Sequence, residues 1–363
     1  MNKAKFEYVS EKYIRKLLKD TQYLLVLGER SNGKSYAVKS MLIKEAIKNN
    51  DLFIYLRRYD LDVKDSVAVR YFADLPVSEM TDGEYTLIDV FRKGIYLANI
   101  DPDTEKIKRG KKIGFCQSLS GAEHVKSLQY PEVKYILYEE FLPKNAQYLY
   151  NEPDLLQHHV SSIFRLRTNG HVILVGNTLT RICPYYSKWG MDKVRNLGLN
   201  SVESFNYPND EGPDTTVKVY RTDSLGFNSG MFFGSSGKNI TGGAYEADPQ
   251  PHLPKSIREY RQLYDMVIQH EYIMFYLQLL QDNTECNNIV WYVEPKTSPI
   301  KPGTRVISTE FSTDPMYSRT LQGLTPNEEM IFQMLRSGKV CFSDDLTGTE
   351  FKAVINHFTS RRI

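Results

Sequence analysis

A lysine and a hydroxyl residue directly behind two spaced glycines are the best candidates for chemistry in this chain. Gly28-Glu29-Arg30-Ser31-Asn32-Gly33-Lys34-Ser35 has the G-x-x-x-x-G-K-[ST] spacing of a phosphate-binding loop. The chemistry needs those residue types in that order. Glycines let the backbone wrap a phosphate chain with its amides pointing inward, and a following helix N-terminus adds a favourable dipole. Lys34 reaches the outer phosphates, and the Ser35 hydroxyl is a ligand for Mg2+. The candidate nucleotide contacts are Gly28, Glu29, Arg30, Ser31, Asn32, Gly33, Lys34, Ser35 and the adjoining Tyr36.

A phosphate loop that hydrolyses its nucleotide needs acids nearby. Tyr135-Ile136-Leu137-Tyr138 leads into Glu139-Glu140, an apolar strand ending in two carboxylates about a hundred residues after the loop. In that pattern Glu139 binds the metal through water and Glu140 polarises the attacking water. Asn177, at the tip of the next apolar run, is placed to sense the γ-phosphate. No guanine-reading N-K-x-D set occurs in the sequence, which favours ATP over GTP.

These residues require strands that end together. Tyr23–Leu27, Leu52–Arg58, Val133–Tyr138 and His171–Val175 are short continuous apolar runs, the pattern of strands buried on both faces of a parallel sheet. Helices are predicted from Ser35 to Asn49, free of Gly and Pro, and from Asp154 to Leu166. Alternating strands and helices through about residue 180 predict an α/β fold of the P-loop NTPase kind with a parallel sheet. The predicted division is an ATPase domain over 1–182, a linker region over 183–255 and a smaller α+β domain over 256–363. The linker reading rests on breaks such as Tyr207-Pro208-Asn209-Asp210-Glu211-Gly212-Pro213 and Thr241-Gly242-Gly243. A helix is expected over Lys255–Asp265, then strands over Glu271–Leu280, Ile289–Glu294 and Arg305–Ser308. Two closing helices are expected over Pro326–Ser337 and Thr347–Ser360.

Composition narrows the class. With 363 residues, 41% hydrophobic and 25% charged, the chain reads as a soluble protein of two domains. No apolar run approaches membrane-spanning length, and the charged N-terminus is not signal-like. Cys116, Cys183, Cys286 and Cys341 are scattered without a C-x-x-C pair, against both zinc and a disulfide framework. His158, His159 and His270 carry no ligand spacing and are read as surface or core residues. The net charge of +2 is uninformative about nucleic acid, but Lys106-Ile107-Lys108-Arg109-Gly110-Lys111-Lys112 is a basic, hairpin-like stretch that could contact phosphates. A solvated surface loop is an equally good reading of it.

Five patterns in order resemble one family. The loop with Tyr36-Ala37, Phe53-Ile54-Tyr55-Leu56-Arg57-Arg58-Tyr59, Lys126-Ser127 with Tyr130-Pro131-Glu132-Val133, Ile163-Phe164-Arg165-Leu166-Arg167, and Val175-Gly176-Asn177 are similar to the podophage DNA encapsidation proteins. These are genome-packaging ATPases of small tailed phages, and the resemblance covers residues 20–180 well. It implies an ASCE-type, RecA-like ATPase core that uses ATP and Mg2+. It also implies a homo-oligomeric ring, a pentamer in this family, on the portal (connector) of an empty capsid shell in the host cytoplasm. Double-stranded DNA is the expected cargo, and a structural RNA is a conceivable scaffold. By the same resemblance Arg165 is the arginine finger acting on a neighbour's nucleotide, and Lys126 a second basic residue delivered across the subunit boundary. The chain departs from the family's usual Asp-Glu by having Glu139-Glu140.

The resemblance implies a vestigial RNase H-like fold for the C-terminal domain, binding DNA or the portal, with no nuclease activity. Asp282, Glu285, Glu294, Glu310 and Asp314 form no strand-borne set with two-metal spacing. The competing reading of the whole chain is a nucleotide-dependent switch, or a helicase or AAA-type remodeller, uncoupled from packaging.

Overall fold

The computed structural model describes residues 8–121, 129–143, 148–177, 183–210, 212–224, 247–280, 289–308, 312–318, 329–330, 333–334 and 337–359. The chain divides into two compact units, with the boundary after residue 244.

The first unit is built on a nine-stranded sheet. Its strands are β1 (Tyr23–Gly28), β2 (Leu52–Arg57), β3 (Leu87–Phe91), β4 (Gly94–Ile100), β5 (Ile107–Ser118), β6 (Val133–Glu139), β7 (His171–Asn177), β8 (Ser201–Tyr207) and β9 (Thr215–Arg221). Their order across the sheet is β3-β4-β5-β2-β6-β7-β1-β9-β8. From β5 to β9 every pairing is parallel, and β4, β3 and β8 add antiparallel edges. The central strands are the four apolar runs of the sequence. Leu24 to Val26, Phe53, Ile54, Ile136, Leu137, Ile173 and Leu174 have essentially no exposed surface, because helices cover both faces.

The helices are α1 (Glu11–Leu18), α2 (Lys34–Asn49), α3 (Asp65–Tyr71), α4 (Val77–Met80), α5 (Glu152–Phe164) and α6 (Pro184–Lys188). Ser10 caps α1, accepting a hydrogen bond from the Tyr13 amide. α1 is tied to α2 by Lys44 and Ser40, which both donate to Glu11.

Of the stretch 183–255 expected to be a linker, the described residues 183–210 and 212–224 belong instead to the first unit and its sheet. Residues 184–188 form α6, and the Tyr207–Pro213 turn cluster connects β8 to β9, which pairs in parallel with β1. Gly, Pro and Asn mark a hairpin turn there, and the strands on either side complete the sheet's edge. The basic stretch is likewise no loop: residues 107–112 are the first half of β5, paired with β4. Three of its charges are engaged at home. Arg109 donates to Asp89 at 2.6 Å and lies over the Phe91 ring, Lys111 donates to the Ile47 carbonyl, and Lys112 lies over Tyr96 and Phe115.

The second unit carries β10 (Tyr260–Ile268), β11 (Tyr272–Leu279), β12 (Ile289–Pro295), β13 (Arg305–Ile307), β14 (Tyr317–Ser318) and β15 (Val340–Phe342), followed by α7 (Asp345–Thr359). The sheet order is β14-β13-β10-β11-β12-β15. The first three strands form an antiparallel meander, and β13 and β14 extend it in parallel beside β10. That 3-2-1-4-5 arrangement, with one added strand, is the RNase H-like topology expected. The helix predicted over Lys255–Asp265 is instead a single 3-10 turn and the first half of β10. Pairing with β11 along Tyr260–Ile268 overrides local helix propensity. The helix expected over Pro326–Ser337 lies largely outside the described residues. Among the described residues, no group of three or more His, Cys, Asp or Glu is placed to hold a metal.

Candidate nucleotide site

The sheet order brings the sequence candidates together. β7 lies between β1 and β6, so Asn177 sits in register beside Gly28, and Glu139 beside Val175 of β7. All these strands run the same way, so the loop after β1, the acids after β6 and the tip of β7 share one end of the sheet, where α/β folds bind ligands.

The two loop glycines are structural requirements. A Cβ on Gly28 would stand 2.0 Å from the Thr222 hydroxyl and 2.5 Å from the Asn32 amide nitrogen. Gly33 has φ +84° and opens α2, a conformation that favours glycine. The loop is braced from within: the Asn32 Nδ2 donates to Thr222 Oγ1 at 2.5 Å, and Ser224 donates to the buried Glu29 carboxylate at 2.9 Å. Arg30 and Tyr36 are exposed on the loop's flanks, and Ser31 has φ +64°.

Lys34 is buried, with its ammonium donating to the Glu29 carbonyl at 2.7 Å and to Asn177 Oδ1 at 2.8 Å. Burial pushes this ammonium down to about 8, against the pull of the Glu139 and Glu29 carboxylates. Ser35 donates to Glu139 Oε1 at 2.5 Å. Glu139 is 6% exposed, and burial raises its carboxyl above the usual range while hydrogen bonds from Ser35 and Tyr71 oppose the shift. The paired Ser35 hydroxyl and Glu139 carboxylate are hard oxygen donors side by side, a set that fits Mg2+.

Glu140 differs from its neighbour. It is exposed, takes a left-handed φ of +56°, and accepts a hydrogen bond from Arg57 at 2.7 Å. Arg58, next along the strand end, is buried and fixes the turn after the acids. It donates to the Glu140 and Phe141 carbonyls and makes a bidentate pair with Glu152 at 2.8 and 2.9 Å. Glu152 also accepts from Tyr138, Tyr185 and the Leu149 amide, so its charge is fully satisfied although it is 1% exposed. Arg30, Arg57, Tyr59, Asp62, Glu140, Pro143 and Asn177 line a cavity of about 250 Å³ at this end of the sheet.

Arg165 lies elsewhere. It follows α5 with φ +54° and ψ −117°, and the Arg167 amide donates to the Phe164 carbonyl, closing a type II′ turn with an exposed Arg165 at the position that favours glycine. Arg167 holds that turn from beneath. Its guanidinium donates to the carbonyls of Tyr130, Pro131, Val133, Ile163 and Phe164. Tyr130 to Val133 lie at the start of β6 and Glu139 at its end, roughly 20 Å away at strand rise. The Arg165 turn is therefore at the opposite end of the sheet from its own chain's acids. Lys126 lies outside the described residues.

Arg57, Arg58, Glu152, Tyr71 and Thr222 also belong to the site, outside the phosphate loop and the acid pair. The double arginine ending an apolar run was the one visible sign of any of them.

Fold and loop together define a P-loop NTPase of the ASCE kind, with one strand between the loop strand and the acid strand. The sequence profile described as Podovirus DNA encapsidation protein (Gp16) matches residues 5–245. The chain belongs to that family. The DNA packaging protein of Bacillus phage B103 is 35% identical over 178 residues, 48% of this chain and 50% of its own length. The DNA packaging protein of Bacillus phage phi29 is 29% identical over 222 residues, 61% of this chain and 58% of its own length. The matched region thus spans half to three-fifths of these curated relatives. Two solved structures share the fold over nearly the full chain. The bacteriophage Phi-29 viral genome packaging motor assembly has a TM-score of 0.56 at 19% identity, covering 97% of this chain and 99% of its own. The Phi-28 gp11 DNA packaging motor has a TM-score of 0.50 at 17% identity, covering 99% of both.

Proposed function

We propose that this chain is an ATP-hydrolysing motor that drives double-stranded viral DNA through the portal into a preformed capsid shell. It works as a ring of identical subunits, a pentamer by family resemblance, in the host cytoplasm and transiently on the portal vertex. The observation that carries the reading is the convergence of Lys34, Ser35, Glu139, Glu140 and Asn177 at one end of one sheet.

Each side chain has a task there. The loop amides and Lys34 bind the phosphate chain, whose negative charge favours the charged form of the buried amine. A γ-phosphate that takes over the Lys34 ammonium frees the Asn177 amide, which makes the tip of β7 responsive to the nucleotide. Ser35 and Glu139 would hold Mg2+, which supplies charge neutralisation on the phosphates. Glu140, exposed and oriented by Arg57, accepts the proton of the attacking water. Arg165, remote from its own acids, is suited to neutralise charge on a neighbouring copy's nucleotide, and Lys126 is a second candidate for that boundary. Lys106 and Lys108, on the exposed part of β4–β5, are available to DNA phosphates. The RNase H-like unit is a DNA- or portal-binding domain without a cutting step, and a structural RNA is a candidate scaffold.

The test is steady-state ATPase activity with and without double-stranded DNA and empty shells bearing portals. Strong stimulation is expected, lost in Glu140→Gln and in Arg165→Ala, and partly restored when the two variants are mixed. Activity indifferent to DNA and shells would instead assign the chain to the nucleotide-switch class.

A further inference from the structure

Glu139 has a second donor that no motif announces. The Tyr71 hydroxyl, at the end of α3, donates to Glu139 Oε2 at 2.7 Å, while Ser35 donates to Oε1. The two oxygens of the buried carboxylate are thus assigned to different partners, one on α2 and one on α3.

Tyr71 is itself held firmly. Its ring stacks on Tyr55 with centroids 4.4 Å apart and planes 22° apart, and meets Phe72 edge-on at 5.2 Å. The Lys39 ammonium lies 4.5 Å above the same ring, and donates to the Tyr71 carbonyl and to Asp74 at 2.6 Å each. A stacked, cation-capped ring leaves the hydroxyl little freedom, so it can fix the group it touches.

That matters because a glutamate carries one more rotatable bond than the aspartate more usual at this position. Without restraint its carboxylate would sample several orientations relative to Ser35. We propose that Tyr71 is a positioning residue for the metal-binding carboxylate: by occupying Oε2, it commits Oε1 to the Ser35 side, where a divalent cation on a nucleoside triphosphate would be held. The inference rests on the nucleotide reading above and adds a residue to it. Tyr71 touches neither metal nor nucleotide in this scheme and acts through Glu139, as outer-shell partners of metal ligands do.

The experiment is binding of a fluorescent ATP analogue to the full-length protein, measured once in Mg2+ and once in EDTA. Tyr71→Phe keeps the ring stack and removes only the hydroxyl. It should weaken binding about 10-fold in Mg2+ and leave binding in EDTA unchanged, with an unaltered far-UV spectrum. In a Glu139→Asp background the shorter side chain no longer reaches the hydroxyl, so adding Tyr71→Phe should change Mg2+-dependent binding less than about two-fold. Lys39→Met, which uncaps the ring without touching Glu139, should give a smaller loss of the same kind, and replaces Tyr71→Phe as the deciding variant if the latter misfolds. Equal losses in Mg2+ and EDTA, or losses that add in the double variant, would overturn the proposal. A wild-type chain that binds no analogue in either condition would overturn the nucleotide reading itself, a result separable from the other two.

Discussion

Arg57 Nη2 donates to Glu140 Oε2 across 2.7 Å, and this contact fixes the exposed acid of the pair while its buried neighbour is fixed by Ser35 and Tyr71. The two adjacent glutamates are therefore oriented by different elements, Glu140 from the end of β2 and Glu139 from the start of α2 and the end of α3.

Removing the β2 contact should separate binding from hydrolysis. Arg57→Met removes no hydrogen bond made by Lys34, Ser35 or Glu139 but frees the Glu140 side chain, which is 60% exposed. Nucleotide affinity is expected to change little, while turnover falls about 10- to 100-fold, the usual cost of misplacing a reacting group by an ångström or so. Single-turnover hydrolysis beside equilibrium binding measures both quantities. A parallel loss of affinity and rate would show that Arg57 serves the loop rather than the acid.

The Arg165 turn makes an opposite separation, between stability and activity. At φ +54° and ψ −117° the backbone there suits glycine, and a non-glycine residue costs on the order of 1 kcal/mol. Arg165→Gly should therefore raise the melting temperature of the chain slightly while abolishing stimulated hydrolysis. Arg167→Ala should do the reverse to stability, because five carbonyls lose their donor. Thermal melts of the two variants, run beside the mixing assay, decide it. A destabilised Arg165→Gly would mean that the arginine side chain supports the fold and is not simply presented by it.

The difference between what was legible and what was not follows the range of the interactions. Gly28, Gly33, Lys34 and Ser35 obey a local backbone requirement, so spacing alone exposes them. Glu139, Glu140 and Asn177 sit at the ends of continuous apolar runs, and parallel pairing necessarily gathers such ends. Thr222 meets Asn32 across 190 positions, and Arg58 meets Glu152 across 94, with no local pattern to mark either. Tyr71 ends a short helix of mixed composition, and only the packing of Tyr55 and Lys39 turns it toward Glu139. The hairpin β8–β9 was obscured for a related reason. β8 is a half-buried, polar edge strand, so the turn residues that follow it outweigh a weak alternation. β10 was hidden because Tyr260 to Ile268 lacks breakers, and a helix and a strand look alike over nine such residues.

His159 provides a pH test of the helix that connects the two ends of the sheet. It lies on α5, is 2% exposed, and neither ring nitrogen has a hydrogen-bond partner among the described residues. Burial alone lowers its pKa from 6.5 to about 4. Above pH 6.5 the ring is neutral in both the folded and unfolded chain, and folding carries no proton penalty. As the pH falls from 6.5 toward 4 the unfolded chain takes up a proton that the folded chain refuses, so stability drops, and below 4 the loss levels off. Between pH 7.5 and 5.0 the expected loss is about 2 kcal/mol from this residue. His159→Leu should remove that slope while leaving stability at pH 7.5 nearly unchanged, because the site is already apolar. Urea unfolding of both proteins at the two pH values measures it. Equal slopes in wild type and variant would mean that the ring reaches a proton acceptor inside the fold, and that α5 is more open than its burial indicates.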